Sequence, residues 1–306
     1  MLSYIISNLI NNNNLINILL HKNVKYMIIN SELPIKMLGT EYDLNEYEFV
    51  LFHLYKTNKK YKKYFKDLRK SDPERLMIFD NSAYEFFIKG ETLDMDEYVK
   101  AIRELKPQMY ILPDVLMDEK KTIKGTFEFL EKYGDQIPKG CQPLAVIQGK
   151  TEEEIMDCYK KFYEKGLTRM AVPFHNSFFK EIGEQPDNPI WIESEFYERY
   201  YNISDDVKYG IGRACFMWKY REEFRKLDYV HILGSHCPVE KLFYIKDWDS
   251  MDTGYPVKLG YMGIKLLHED GKPNVLIDDM LNFDPVKDES KAKLIRNNVM
   301  IFKNLV

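Results

Sequence analysis

The sequence predicts an α/β fold, specifically a (β/α)8 TIM-like barrel. Hydrophobic runs typical of strands alternate with helical segments from about residue 76 onward, and a short polar motif follows most of these runs. Such alternation gives parallel strands joined by crossover helices, and seven or eight repeats close a barrel. An open doubly wound sheet is the competing architecture. Its nucleotide-binding version is disfavoured, because no glycine-rich fingerprint opens a helix in this chain.

Short apolar segments recur along the chain and have the character of buried strands. The predicted strands are residues 24–29, 76–79, 109–112, 143–147, 169–172, 208–211, 229–233 and 249–252. The last of them begins the final turn of the barrel. The chain shows no internal repeat and no clear linker, so a single barrel domain spanning residues 1–306 is expected. Residues 1–70 are read as an N-terminal extension whose arrangement the sequence leaves open.

The segments between the strands carry helical signals. Apolar side chains recur at spacings of three, four and seven in residues 44–70, Pro107 stops a helix, and Thr151 with Glu154 fits a capping box. The predicted helices are residues 44–70, 95–105, 119–133, 151–164, 192–201, 214–227 and 239–245. Residues 174–191 are rich in Asn, Pro and Gly and are predicted to be a loop.

Composition excludes several classes of protein. The chain has 306 residues, of which 45% are hydrophobic and 14% aromatic, and a net charge of −4, which argues against disorder and against polyanion binding through overall charge. The four cysteines lack metal-site or redox spacing and are typical of reduced thiols. Residues 11–14 are all Asn and interrupt the apolar N-terminus, so neither a signal peptide nor a membrane span is expected. A cytoplasmic protein is predicted.

Acidic and amide side chains follow several predicted strands, where a barrel places its active site. Asp80 and Asp252 could act on a sugar as acid/base and nucleophile, respectively. Asp114 and Gln148 could form a polar floor for a planar heterocycle. Each has a plainer interpretation: Asp80 and Asp252 as turn residues, and Asp114 and Gln148 as structural groups. Asp249 is a nearby rival for the role of Asp252.

A basic cluster lies in the predicted helix at 44–70. Residues 56–70 hold eight Lys or Arg and one acid, with aromatic residues interleaved, and Lys59, Lys60, Lys62 and Lys63 are its centre. Such a cluster is the best candidate for contacting phosphates. A solvated helix face with inward aromatics explains the pattern slightly better. A metal site at His231 and His236 is the minority interpretation, because no carboxylate or Cys spacing completes it.

The order of the motifs resembles that of the tRNA-guanine transglycosylase superfamily, closest in character to its phage-type members that insert 7-deazaguanines into DNA. The resemblance covers about residues 76–260. It is carried by Phe79-Asp80-Asn81-Ser82-Ala83, Leu112-Pro113-Asp114, Val146-Ile147-Gln148-Gly149, Met170-Ala171-Val172, His231-Ile232-Leu233-Gly234 and Met251-Asp252-Thr253. Enzymes of this family are barrels that exchange guanine for a 7-deazaguanine by double displacement.

The resemblance implies a role for each matched residue. Asp252 falls where the family has its nucleophile, and Asp80 where it has its general acid/base. Binding of the base is implied for Asn81, Ser82, Asp114, Gln148, Gly149, Met170, Ala171, Leu233 and Gly234. The implied partners are a polynucleotide, DNA or tRNA, and a 7-deazaguanine base, with no cofactor, no metal and no membrane. A homodimer is left open.

Two departures from the family pattern bear on the substrate. Pro173 and Phe174 stand where the family has Gly-Glu, and no cysteine follows Cys237, so the zinc cluster of the tRNA-acting members is missing. The first departure concerns the base pocket on that side, and the missing zinc cluster favours DNA over tRNA. Two alternatives from other classes remain: an N-glycoside hydrolase acting on a small nucleoside-like metabolite, and a non-catalytic barrel that binds nucleic acid.

Overall fold

Eight parallel strands form a nearly closed barrel in the computed structural model of this chain, which describes residues 27–174, 176–184, 205–241, 248–266, 275 and 277–304. The strands are β1 (Ile28–Ser31), β2 (Glu48–Leu51), β3 (Met77–Asp80), β4 (Met109–Ile111), β5 (Gln142–Val146), β6 (Arg169–Val172), β7 (Tyr229–Ile232) and β8 (Ser250–Thr253). Each is buried along most of its length. The predicted (β/α)8 TIM-like barrel is confirmed.

The strand order places all the strand ends on one rim. Neighbours pair in parallel in the order β1-β8-β7-β6-β5-β4-β3-β2. Across β2 and β3, Leu51 pairs with Asp80, and across β1 and β8, Ser31 pairs with Thr253. Because the strands all run the same way, the residues that end them gather at one face of the barrel.

The seam between β1 and β2 is bridged largely by side chains. Asn30 Nδ2 donates to the Tyr47 carbonyl at 2.7 Å. Asn45 Oδ1 accepts from the Ser31 N–H at 2.6 Å, and Asn45 Nδ2 donates back to the Ser31 carbonyl at 3.0 Å. These contacts satisfy edge groups that a strand ladder would otherwise pair, and they bring the two ends of the sheet together.

Helices alternate with the strands. They are α1 (Phe52–Thr57), α2 (Lys59–Ser71), α3 (Ala83–Lys89), α4 (Met95–Leu105), α5 (Glu119–Tyr133), α6 (Glu152–Glu164), α7 (Ser177–Gly183), α8 (Asp205–Lys219), α9 (Arg221–Phe224), α10 (Pro238–Lys241), α11 (Tyr255–Tyr261), α12 (Ile277–Met280) and α13 (Glu289–Asn304). In the described part of the chain, none of them combines the length with the apolar composition that a bilayer crossing requires.

The predicted N-cap of α6, Thr151, is confirmed. The Thr151 hydroxyl accepts from the Glu154 N–H at 3.2 Å, as an N-cap side chain does. The return bond differs from a full capping box, because the Glu154 carboxylate accepts from the Lys150 N–H at 2.6 Å. Helices α4 and α5 begin in the same way, with Asp94 and Asp118 as caps.

The segment at 44–70 is not one helix. Its first part forms β2, all four residues of which are buried, and the rest is divided into α1 and α2 at Asn58. The mixture of apolar residues there satisfies helical spacing, yet the run Glu48–Leu51 is needed as a strand between β3 and the seam. Residues 28–71 are therefore part of the barrel, and only residues 1–26 of the expected extension lie outside the described residues.

Two further predictions are wrong. The predicted strand at 208–211 lies inside α8, and the predicted loop at 174–191 contains α7. The predicted helix at 214–227 is the end of α8 followed by α9. Residues 24–26, 185–204 and 242–247 lie outside the described residues, so the predicted helix at 192–201 and most of that at 239–245 stay predictions.

Tyr98 of α4 ties the ends of β3 and β4 together beneath the rim. Its hydroxyl lies 3.0 Å from the Phe79 carbonyl and 2.8 Å from the Ile111 carbonyl, and its ring stacks on Phe79 with centroids 5.4 Å apart. The strand ends that carry Asp80 and Asp114 are therefore supported by a rigid aromatic group.

Helices α7 and α8 approach each other at two glycines. A Cβ added at Gly212 would lie 1.7 Å from the Phe179 carbonyl oxygen, and one added at Gly183 would lie 2.0 Å from the Lys208 carbonyl oxygen. Each helix thus presents a glycine to the backbone of the other, and neither position has room for a side chain.

We expect Gly212→Ala to lower the free energy of unfolding by about 1–3 kcal/mol, the scale of overpacking, because the helices must separate to admit the methyl group. Gly125→Ala in α5 is the matched control, since no atom lies within 4 Å of its added Cβ. That variant should gain up to ~1 kcal/mol from helix propensity. Urea unfolding measures both, and equal stability of the two variants would contradict the close approach.

Candidate active site

A cavity opens where the strands end. Its volume is about 150 Å³, and its lining includes Glu32, Asp80, Asn81, Glu85, Asp114, Gln148, Leu233, Gly234, Asp252, Lys258 and Asp278. Asp80 and Asp252, which come from β3 and β8, therefore face the same space. An enclosed cavity of about 150 Å³ holds a benzene-sized ligand, so an open cavity of this volume is on the scale of one flat ring system.

The Asp252 carboxylate contacts two groups, one within β7 and one just after it. Its Oδ1 accepts from the Gly234 N–H at 2.8 Å and lies 3.0 Å from Nε2 of His231. Both contacts go to the same oxygen, and Oδ2 takes neither. The carboxylate is 2% exposed, so its orientation is set by these contacts and not by solvent. Asp249, the rival candidate, lies before β8 and accepts from the Val230 N–H, away from the cavity rim.

An ion pair that is fully buried holds the loop after β7. The Arg213 guanidinium contacts the Glu240 carboxylate at 2.6 and 2.9 Å. The same group donates to the carbonyls of Leu233 at 2.6 Å and Gly234 at 3.1 Å. Removal of one partner of such a buried pair strongly destabilises a protein, because the other charge remains buried and unpaired. The pair fixes the carbonyls of Leu233 and Gly234 and so aims the Gly234 N–H at Asp252.

Asp80 ends β3 in a buried position. Its Oδ2 accepts from the Ser82 N–H at 2.7 Å. Burial, and next the neighbouring Glu85 carboxylate, raise the pKa of Asp80 well above its ordinary value, although the Ser82 hydrogen bond acts in the opposite direction. A carboxyl group with this environment keeps its proton at a higher pH than an exposed aspartate does, which suits a general acid.

Ser82 adopts an unusual backbone conformation, with φ at +60° and ψ at +34°. Its hydroxyl contacts His53 twice, at 3.1 Å from the backbone N–H and 2.9 Å from Nδ1. A left-handed serine is uncommon, and such conformations cluster at functional sites, where the surroundings hold them. Ser82 is fully buried and does not line the cavity, so the structure places it behind Asp80.

Asn81, Asp114 and Gln148 form one hydrogen-bonded chain. Asn81 Nδ2 donates to Asp114 Oδ1, and Gln148 Nε2 donates to Asp114 Oδ2, each at 2.8 Å. Gln148 Oε1 accepts from the Met117 N–H at 3.0 Å, which orients the amide. Burial raises the pKa of Asp114, while the bonds from Asn81 and Gln148 lower it.

The hydrogen-bonded side chains of Asn81, Asp114 and Gln148 leave some donors and acceptors for a ligand. Asn81 uses both of its N–H groups, because it also donates to the Leu112 carbonyl at 2.8 Å. Gln148 uses one of its two N–H groups, and each Asp114 oxygen takes one bond. The Asp114 backbone N–H also bonds its own carboxylate, and one amide donor of Gln148 and the remaining lone-pair capacity of the carboxylate are left for a ligand. A ligand that meets them must present donors to Asp114 and an acceptor to Gln148.

Glu32 is a cavity residue that the sequence analysis did not identify. Its N–H donates to the Thr253 carbonyl at 3.0 Å, which continues the pairing of β1 with β8. Its carboxyl group shares a hydrogen bond with that of Asp252. Burial raises the pKa of Glu32 to about 8, the nearby Lys258 ammonium opposes this shift, and the Asp252 charge adds to it. Glu32 is accordingly a carboxyl group beside Asp252 that keeps its proton up to a pH of about 8.

Glu85, Lys258 and Asp278 also line the cavity, and the sequence analysis did not identify them. Burial raises the pKa of Glu85, and the nearby His53 and Lys258 lower it. Asp278 is held by His53 Nε2 at 3.1 Å and by the Lys89 ammonium at 2.8 Å. The rim therefore mixes several carboxyl groups with two lysines.

Four residues of the predicted base-binding set do not line the cavity: Ser82, Gly149, Met170 and Ala171. Met170 and Ala171 lie within β6 and are fully buried. Gly149 lies against the start of α6, where an added Cβ would meet the Glu154 Cβ and the Ile155 nitrogen at 2.7 Å. Its carbonyl accepts from Asn176 Nδ2 at 2.6 Å. Close packing accounts for the glycine at this position.

The basic cluster lies on the flank of the barrel. Lys62 and Lys66 each contact Glu104 at 2.6 Å, and Glu104 lies near the end of α4 that leads into β4, opposite the cavity. Lys63 pairs with Asp67. Lys59 and Lys60 begin α2 and are exposed. Much of this charge is thus balanced by carboxylates, as in a solvated helix face.

His231 and His236 do not share partners. His231 contacts Asp252 and Ser250, whereas His236 Nδ1 lies 3.8 Å from an Asp206 oxygen. Within the described residues, no group of three or more His, Cys, Asp or Glu side chains is placed to hold a metal ion.

We expect Glu32→Gln to change how stability depends on pH. The pKa of Glu32 is about 8 in the folded protein and 4.5 ordinarily, so folding takes up a proton. Its contribution to stability is fully present below pH 4.5 and is lost as the pH rises through 8. Urea unfolding at pH 5, 7 and 9 should show a shallower loss in the variant than in the wild type. Glu41→Gln, at an exposed position, is the control, and parallel curves for all three proteins would refute the shift.

Comparisons with known proteins identify no family for this chain. No protein-family model matches it. No curated protein matches it either. The resemblance to the tRNA-guanine transglycosylase superfamily therefore rests on the order of short motifs, and the geometry of the cavity is the independent ground on which a function can be proposed.

Proposed function

We propose that this protein exchanges guanine in a polynucleotide, DNA in preference to tRNA, for a 7-deazaguanine base through a covalent glycosyl-aspartyl intermediate. The observation that supports this most directly is the convergence of Asp80, Asp252, Asp114 and Gln148 on one cavity at the strand ends. The first two supply the chemistry, and the other two supply a polar surface for a flat base.

Asp252 is the nucleophile in this proposal. Oδ1 accepts from Gly234 and lies against His231, and the carboxyl group shares a further hydrogen bond with Glu32, so in this proposal Oδ2 attacks the anomeric carbon. The bond from that carbon to the base breaks, and the bonding electrons leave with the base. A second displacement by the incoming base restores the original configuration, as in retaining glycosyl transfer. The target nucleotide must leave the base stack to reach the cavity.

Asp80 carries the proton that the exchange requires. Its raised pKa lets the carboxyl group keep its proton to a higher pH than an exposed aspartate does, so it can protonate the departing guanine. The resulting carboxylate then takes a proton from the incoming base. Protons balance over the full exchange, because one is given to the first base and one is taken from the second.

The base is recognised by complementarity. The 2-amino and N1–H groups of guanine are donors that match the free lone pairs of Asp114, and its O6 is an acceptor that matches the free N–H of Gln148. A 7-deazaguanine presents the same three groups, because it differs from guanine in the five-membered ring. The arrangement accounts for a site that accepts both bases in turn.

A small nucleoside-like substrate is the second candidate, in which case the protein is an N-glycoside hydrolase. The position of the basic cluster favours it, since Lys62, Lys63 and Lys66 are paired with carboxylates on the flank of the barrel. The two candidates differ in whether free nucleosides react and in whether a second base is incorporated.

Asp252→Asn should abolish release of guanine, because the amide cannot form the glycosyl bond. Wild-type protein is incubated with DNA and tRNA carrying labelled guanine, with and without a 7-deazaguanine, and the covalent adduct is mapped by mass spectrometry. Asp249→Asn is the matched control and should retain release. Absence of label release from both polymers by folded wild-type protein would rule out base exchange, and reaction of free guanosine alone would select the hydrolase.

Asp114→Asn should weaken binding of guanine and 7-deazaguanine by about 10- to 100-fold, because the new N–H group opposes donors on the base. Equilibrium titration of the free bases measures this without turnover, and adenine serves as the control ligand. Equal affinity of variant and wild type for guanine would mean that the base binds elsewhere.

A further inference from the structure

A buried chain of side chains lies behind Asp252. His231 Nε2 is 3.0 Å from Asp252 Oδ1, and His231 Nδ1 is 2.7 Å from the Ser250 hydroxyl. The Tyr229 hydroxyl donates to the Ser250 hydroxyl at 2.8 Å. The pairing of β7 with β8 sets His231 opposite Ser250, so the contacts follow from strand register.

The direction of each hydrogen bond can be assigned. A carboxylate only accepts, so Nε2 of His231 carries a hydrogen and donates to Asp252. In the neutral ring the other nitrogen is then an acceptor, and the Ser250 hydroxyl donates to it. The Ser250 oxygen is left to accept from Tyr229. In this assignment Nε2 donates, Nδ1 accepts, and the Ser250 hydroxyl both donates and accepts.

The hydrogen-bonded series Asp252, His231 and Ser250 has the side-chain types of a Ser-His-Asp triad, but here the aspartate, and not the serine, faces the cavity. Ser250 is fully buried and is absent from the cavity lining, whereas Asp252 lines the cavity. In a hydrolytic triad the serine faces the substrate and the aspartate lies behind the histidine. Here the aspartate faces the cavity, and the serine only fixes the histidine ring.

Two aromatic side chains also pack against the histidine ring. Phe49 stacks on it with centroids 5.3 Å apart and an angle of 22° between the planes. Tyr47 meets it edge-on at 6.4 Å and 87°. Both aromatic residues come from β2 and the residue before it, on the far side of the barrel interior. His231 is fully buried, so rotation of the ring would break these contacts.

We propose that His231 is a positioning residue that donates one hydrogen bond to Oδ1 of Asp252 and thereby directs Oδ2 to the anomeric carbon. This inference rests on the proposed function. The new bond joins Oδ2 to the anomeric carbon, and the bond from that carbon to the base breaks with its electrons leaving on the base. His231 neither gains nor loses a proton in this step, and Oδ1 becomes the carbonyl oxygen of the ester and still accepts from Nε2.

Three variants test the inference. His231→Phe keeps a flat ring against Phe49 but removes the donor, and guanine release in a single turnover should slow by about 10- to 100-fold, the factor for a lost hydrogen bond to a charged group. His231→Gln places an amide N–H where Nε2 lies and should restore much of the rate. Ser250→Ala, a smaller change that guards against misfolding, should slow release through loss of the fixed ring orientation. Affinity for the labelled polynucleotide should be unchanged in all three.

An NMR measurement tests the hydrogen-bond chain without any substrate. In wild-type protein labelled with 15N-histidine, His231 at pH 8 should carry its hydrogen on Nε2, and Ser250→Ala should leave it there, because the Asp252 carboxylate still accepts from Nε2. A hydrogen on Nδ1 in the wild type, or equal rates for His231→Phe and wild type, would overturn the proposal. If wild-type protein releases no guanine but Nε2 carries the hydrogen, base exchange fails while the chain behind Asp252 stands.

Discussion

The orientation of the Asp252 carboxylate depends on hydrogen bonds from β7, and the rest of the site is arranged around it. The Gly234 N–H can reach Oδ1 because the Arg213 guanidinium holds the carbonyls on either side of that amide. Arg213 is in turn neutralised by Glu240 in a fully buried pair. Replacing such a pair by apolar groups often leaves a protein equally stable, so its presence here is explained better by the carbonyls it positions than by stability.

Burial of carboxyl groups is the second constraint, and it bears on what the cavity can admit. Glu32, Asp80 and Asp114 would repel a phosphate backbone if all were ionised. Burial raises the pKa of each, so these carboxyl groups keep their protons to a higher pH than exposed ones do. In the proposed exchange, the same desolvation that costs stability would lower the charge that a nucleotide meets and supply the protonated carboxyl group that glycosyl transfer requires.

The sequence predicts the barrel and part of the site, for a reason that also explains the omissions. Asp80, Asp114, Gln148 and Asp252 each lie within three residues of the end of a strand, and that pattern is readable along the chain. β2 is difficult to recognise in the sequence, because a helix follows Glu48–Leu51 at once and the apolar residues of the strand continue the helical spacing. Glu32 also follows a short strand, but the strand predicted there ends at residue 29, two residues before the observed end at Ser31, so the sequence does not place Glu32 at a strand end. The bond between His231 and Asp252 depends on register between β7 and β8, which a single sequence does not display.

Ser82 shows how a local conflict can serve a site. A left-handed backbone costs a serine on the order of 1 kcal/mol or more, and glycine would adopt it freely. The serine is nevertheless suited to the position, since its hydroxyl engages both the backbone and the ring of His53 while its N–H holds Asp80. A straight continuation of β3 would carry that N–H away from the Asp80 carboxylate. The strained turn is thus what allows an aspartate at the end of a strand to be buried, oriented and still open to the cavity.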